Sequence, residues 1–400
     1  MSKKSMGIMN YIALLSIFIF TGAGTYETSA VQTMIEAWPT VDPATVRMVV
    51  TLPSLVSLPI MLAIGAVVGH KIGYKLSALL GVACIGIGGA GPCLLAPNWT
   101  VVMAFRVILG IGIGIIGMRN ALIYGLVPAE KQAQIIGYGQ VLGTLGTTIA
   151  SPVVAFLTKF GWNWSFLFNA LALVSAVLVI LFLPEPEKAS ESNTASDMAD
   201  SSAADGKSGI AGFTWRTWYY IAALFIATAV IFPLQSGLSS FMELNGIGTV
   251  VIAGTMISAY NLSGTVANLF LGQIHKLLGP YVLPVSFAAG AIGTALVLWV
   301  PVIPIMFVGL ILAGAGFCII LSTVMIYNGS TASEGSKGFA STVILCMLYF
   351  GIFASSYYIA GAHAIVHAAT DIESSWLVCI IIYAVMAVIS LVAKVAPPRE

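Results

Sequence analysis

Residues 164–183 read WSFLFNALALVSAVLVILFL, and residues 184–212 read PEPEKASESNTASDMADSSAADGKSGIAG. The first stretch carries no charged side chain over twenty positions, the length a helix needs to cross a hydrocarbon core about 30 Å thick. The second is too polar and too poor in large apolar groups to order itself. Apolar runs near 8–31, 46–69, 76–96, 100–124, 135–158 and 164–183 precede this junction. Six more follow it, near 215–239, 249–274, 281–299, 302–326, 339–365 and 374–395. The pattern predicts an all-α membrane protein with twelve transmembrane helices. Two six-helix bundles, 1–183 and 215–400, would be joined by a linker at 184–214. A β-barrel would show segments of about ten residues alternating apolar and polar. These runs are continuous and twice as long.

Composition agrees. The 400 residues are 59% hydrophobic and 8% charged, against about 45–50% and about 25% in soluble domains. Water would not solvate such a surface, so a soluble enzyme is excluded. A net charge of +1 offers no basic excess to recruit nucleic acid. The intended solvent is a lipid bilayer.

The first run follows Lys3 and Lys4 but has no small-residue cleavage site, so a retained helix is expected rather than a signal peptide. With the N-terminus inside, the inner loops and tails hold twelve basic residues, while the outer loops hold two, Arg47 and Lys159. Both termini are therefore expected in the cytoplasm, with the chain in the plasma (inner) membrane of its cell. Cys84, Cys93, Cys318, Cys346 and Cys379 form no paired framework, and neither a metal site nor a disulfide is expected. His363 and His367, at i and i+4, lack further metal ligands nearby. Gly206-Lys207-Ser208 is the tail of a phosphate loop without its leading glycine, and Gly112-Ile113-Gly114-Ile115-Ile116-Gly117 lies mid-span with no strand before it. No nucleotide or other cofactor is implied.

The halves resemble each other. At an offset of 203, Ile108-Leu109-Gly110-Ile111-Gly112 meets Ile311-Leu312-Ala313-Gly314-Ala315, and Gly69 meets Gly272. Parallel repeats of this kind place a cavity between the halves, opened alternately by rocking. Glycines at small-xxx-small spacing, Gly65/Gly69/Gly73, Gly110/Gly114 and Gly139/Gly143, allow the close helix contacts such motion needs.

Four segments resemble the major facilitator superfamily of secondary transporters. His70-Lys71-Ile72-Gly73-Tyr74-Lys75 is similar to its loop between helices 2 and 3. Arg106-Val107-Ile108-Leu109-Gly110-Ile111-Gly112 is similar to its helix-4 motif. Gly161-Trp162-Asn163-Trp164-Ser165-Phe166 precedes helix 6, and Leu183-Pro184-Glu185-Pro186 follows it. The resemblance implies alternating access, with His70, Lys71, Gly73 and Lys75 gating on the cytoplasmic side. His70 replaces the usual acid and re-tunes that gate. Ser151-Pro152-Val153-Val154-Ala155 keeps the helix-5 proline of drug/proton antiporters, a further gating element, but not the full glycine pattern.

Of the fifteen acids, Glu27 alone falls inside an apolar run. A charge there costs about 2.5–3.5 kcal/mol, so it marks a polar path or has a partner. Glu27 lies roughly 25 Å along its helix from the inner side, and Arg106 roughly 9 Å from the outer side of its own. The two share an outer-third level. Either Glu27 titrates against Arg106 and couples protons to transport, or the two form a static ion pair, or Glu27 sits at the water interface with no role. Arg119, placed near the inner third of helix 4, either faces an anionic substrate or snorkels to the interface. In the second half Tyr260, Asn261, Asn268, Tyr349 and Gln235 supply uncharged polar groups for substrate binding, or for interhelical packing.

The expected function is proton-coupled transport of a small organic solute. Export by antiport leads narrowly; uptake of an organic anion by symport is the alternative, motivated by the two arginines. A non-transporting sensor on the same fold is a third reading. Protons and a small organic molecule are the expected partners, and the chain is expected to act as a monomer.

Overall fold

The structure, a computed structural model, describes residues 7–67, 72–95, 98–185, 213–331 and 337–392. It holds twelve helical segments long and apolar enough to cross a membrane. Six lie in one compact unit, Met1–Ala195, and six in a second, Ser196–Glu400. The spans of the first unit are Ile8–Ala37, Pro43–Ile64, Tyr74–Leu94, Trp99–Ile116, Gln134–Phe160 and Trp162–Phe182.

Caps set several boundaries. Asp42 accepts from the backbone N–H of Ala44 (3.0 Å) and Thr45 (3.3 Å), and Pro43 follows as the first helical residue. This is the favoured order at a helix start. The second span therefore begins earlier than its apolar run. Arg47, read from sequence as an outer-loop residue, lies inside the helix and is 5% exposed. Asn98 caps the fourth span by accepting from Val101 N at 3.0 Å.

The first span is not a continuous α-helix. Ile8–Ile19 is α-helical, Phe20–Ala30 is 3-10, and Val31–Ala37 returns to α. The middle piece, FTGAGTYETSA, has two glycines and four hydroxyl residues, poor helix formers that bond backbone instead. Thr21, Thr25 and Thr28 each donate to the carbonyl three residues earlier, at 2.7, 3.0 and 3.0 Å. Tightening raises the rise to about 2.0 Å per residue. The fifth span holds this piece in place. A Cβ on Gly143 would sit 3.1 Å from the Phe18 carbonyl, and one on Gly139 would meet the Phe18 ring. Ser29 Oγ donates to the Ser151 carbonyl at 3.0 Å, beside Pro152.

The fourth span also departs from its apolar run, ending at Ile116. A separate short helix, Arg119–Leu126, follows. The expected helix through residue 124 fails because hydropathy persists across Gly117 and Met118 while the helix does not. The second unit is built around neutral groups. Trp376 is fully buried and donates to the Pro233 carbonyl at 3.1 Å, and Tyr383 donates to the Ala227 carbonyl at 3.0 Å. Among the described residues, the buried charged side chains are Glu27, Arg47 and Arg106, all in the first unit.

Candidate functional site

The 3-10 stretch aims Glu27 into the first bundle, where its side chain is 0% exposed. Arg106, from the fourth span, is also 0% exposed and forms an ion pair with it through Nη2 and Oε2. Arg106 Nε donates to the Val49 carbonyl of the second span at 2.8 Å. Asn169, from the sixth span, donates through Nδ2 to the other carboxylate oxygen, Oε1, at 2.5 Å. The Phe166 ring lies under the guanidinium, 5.1 Å from its centroid to Cζ. Four spans thus meet around one ion pair.

The arrangement is satisfied but incomplete. Arg106 Nη1 and Asn169 Oδ1 are buried and find no hydrogen-bond partner among the described residues. Isolated buried charges are far costlier than paired ones, so Glu27 and Arg106 hold each other's charge in place. Tyr26, the chain neighbour of Glu27, turns its hydroxyl away to the Ile19 carbonyl at 2.5 Å.

Asn169 is absent from the site read off the sequence. The available signal was a lone amide within the run 164–183, which in a span calls for a partner as a charge does. The third span makes room for it at Gly89, where a Cβ would lie 2.6 Å from Asn169 Cγ. Gly89→Ala is expected to displace the amide and destabilise the protein by about 1–3 kcal/mol through overpacking. A lowered melting temperature in detergent, relative to a Gly137→Ala control whose Cβ meets nothing within 4 Å, checks this.

The other expected site residues separate. Arg119 is not part of the fourth-span helix: it opens the short helix that follows, half-buried, with its guanidinium 5.3 Å over the Phe18 ring. The early end of the fourth span puts it there. In the second unit Tyr260 is 2% exposed and Gln235 is half-buried. Asn268 lies at the exposed end of its span, not at mid-depth, and accepts from Ser322 at 2.9 Å. Asn261 and Tyr349 are half-buried on their own helices. On the gating loop, His70 and Lys71 lie outside the described residues. Gly73 and Lys75 are tied to the exit of the sixth span. Glu185 accepts from Lys75 N at 3.1 Å, and Lys75 Nζ donates to the Ile180 carbonyl at 2.9 Å. A Cβ at residue 73 would meet Glu185 Oε1 at 2.6 Å, the free end of an exposed side chain that can swing aside.

The profile of the Major Facilitator Superfamily matches residues 5–356. The chain belongs to this family. Among superfamily members, the Gentisate transporter of Corynebacterium glutamicum is 28% identical over 276 residues, 64% of this chain and 60% of that protein. The Niacin transporter NiaP of Acinetobacter baylyi is 32% identical over 95 residues, 23% of this chain and 22% of that protein. The alignments thus span three fifths or less of these relatives' lengths. The crystal structure of nucleoside transporter NupG matches with a TM-score of 0.73 at 17% identity, covering 97% of this chain and 99% of that one. That likeness shows the superfamily fold. The chain is a multi-pass membrane protein of this superfamily.

Proposed function

We propose that the chain is a proton-coupled transporter of a small organic anion, working by alternating access with both termini in the cytoplasm. The observation that carries this reading is the fully buried Glu27–Arg106 pair, the single buried anion–cation pair among the described residues. A proton on Glu27 would cancel its charge and release Arg106. One bound proton leaves the site with a net positive charge, and one bound carboxylate restores neutrality. Gentisate and niacin, named for two relatives, are both planar aromatic monocarboxylates. That shared chemistry supports uptake by symport over export by antiport, for which Pro152 in the fifth span is the remaining support.

Proteoliposomes with an imposed pH gradient test the proposal. Gentisate or nicotinate is expected to accumulate on the alkaline side, saturably, and to stop accumulating when a protonophore collapses the gradient. Accumulation unaffected by the protonophore would refute coupling, and absence of saturable flux would favour the sensor reading.

A further inference from the structure

The outer end of the first unit holds a cluster that proton binding does not use. Trp38 follows the first span, Trp99 opens the fourth and Trp162 opens the sixth, so alternating spans bring them to one face of the bundle. The Trp38 ring lies 5.8 Å from Trp99 and 5.5 Å from Trp162. Trp162 in turn lies 6.2 Å from Phe166, whose ring carries the Arg106 guanidinium. The result is an aromatic column running from the membrane surface to the buried cation.

Tryptophans at this depth commonly form an interfacial belt facing lipid headgroups. Trp164, 42% exposed, fits that role. Trp99, 8% exposed and packed on another indole, does not. The indole N–H groups of Trp38 and Trp99, like Arg106 Nη1, are buried and lack acceptors among the described residues. Native structures rarely leave such donors unmet. Trp99 and Arg106 stand seven residues apart on one helix, hence on one face and about 10 Å apart along it, and the arginine side chain leans back toward Trp99. Donors at both ends of a row of edge-to-face aromatic rings call for a flat molecule bearing an acceptor at each end. A lipophilic cation would meet N–H edges and a guanidinium, and a sugar would leave the ring faces unused.

We infer that this column is a binding site for a planar aromatic monocarboxylate carrying a second acceptor across the ring. The carboxylate takes Arg106 Nη1, the ring lies against Phe166 and Trp162, and a ring hydroxyl or ring nitrogen accepts from the outer indoles. The inference rests on the anion reading above and extends it by assigning the recognition residues.

Nicotinate, gentisate and uncharged nicotinamide serve as probes on purified full-length protein and in proteoliposomes. Trp99→Phe and Trp38→Phe keep a ring and remove the N–H, so melting temperatures without ligand report whether each variant folds. Loss of a hydrogen bond from the ligand is expected to weaken nicotinate binding about tenfold and to raise KM with little change in kcat. Wild-type protein is expected to bind nicotinamide at least tenfold more weakly than nicotinate. If wild type accumulates the carboxylates but both folded variants keep its KM, the column is not the site and the transport reading stands. If wild type accumulates no carboxylate, the transport reading itself fails.

Discussion

Replacing Glu27 by Gln is expected to abolish gradient-driven accumulation while leaving solute exchange intact. Glutamine keeps the length of the side chain and an acceptor for Arg106, and its amide N–H can donate to Asn169 Oδ1 once the Asn169 amide turns over from the orientation in which it donates to Glu27. It removes the one step in which a proton is taken up or released. A transporter moving one proton per solute can concentrate that solute about tenfold per pH unit, since about 1.4 kcal/mol corresponds to tenfold in a ratio. In Glu27→Gln the accumulation ratio is expected to fall to one. Counterflow, in which labelled solute enters against unlabelled solute inside, needs no net proton movement and is expected to persist within a few-fold of wild type. Loss of both activities would place Glu27 in the structure rather than in the coupling, and undiminished accumulation would remove it from the mechanism.

Arg106→Leu is expected to be the most destabilising single substitution in the first unit. It removes the ion pair and the bond to the Val49 carbonyl and leaves a buried carboxylate with Asn169 as its remaining side-chain partner. Breaking one side of a buried pair costs about 3–5 kcal/mol, mostly because the other charge stays behind unpaired. Adding Glu27→Gln to Arg106→Leu removes that stranded charge, so the double variant is expected to melt higher than Arg106→Leu alone. This non-additive recovery separates a charge effect from a packing effect. A double variant that melts lower still, by the sum of the two single losses, would show that the pair is held by packing and not by mutual neutralisation.

The fold was legible because apolar run length reports membrane spans directly. The buried pair was legible for a related reason. Glu27 is the one acid inside an apolar run, and depth along two helices was enough to bring it level with Arg106. What hydropathy does not register is backbone. It carried the fourth span past Gly117 and so placed Arg119 within that helix rather than at the start of the next. It also began the second span late, because Asp42 and Pro43 read as loop residues although together they cap and start the helix. Neutral partners were hidden too. Asn169 carries no charge to stand out from its run, and its role follows from being opposite Glu27 and Gly89, a relation between three helices that no local pattern records. Trp38, Trp99 and Trp162 are similarly scattered along the chain and gathered by its alternating spans.

Proton uptake on solute binding tests the role of Glu27 most directly. Purified protein in weakly buffered detergent solution at pH 7.5 would receive a saturating pulse of nicotinate while a pH indicator is followed. Wild type is expected to draw protons from solution as the carboxylate binds, and Glu27→Gln to bind nicotinate without any such uptake. Equal proton uptake by both proteins would contradict the account, because the proton would then reside on some other group.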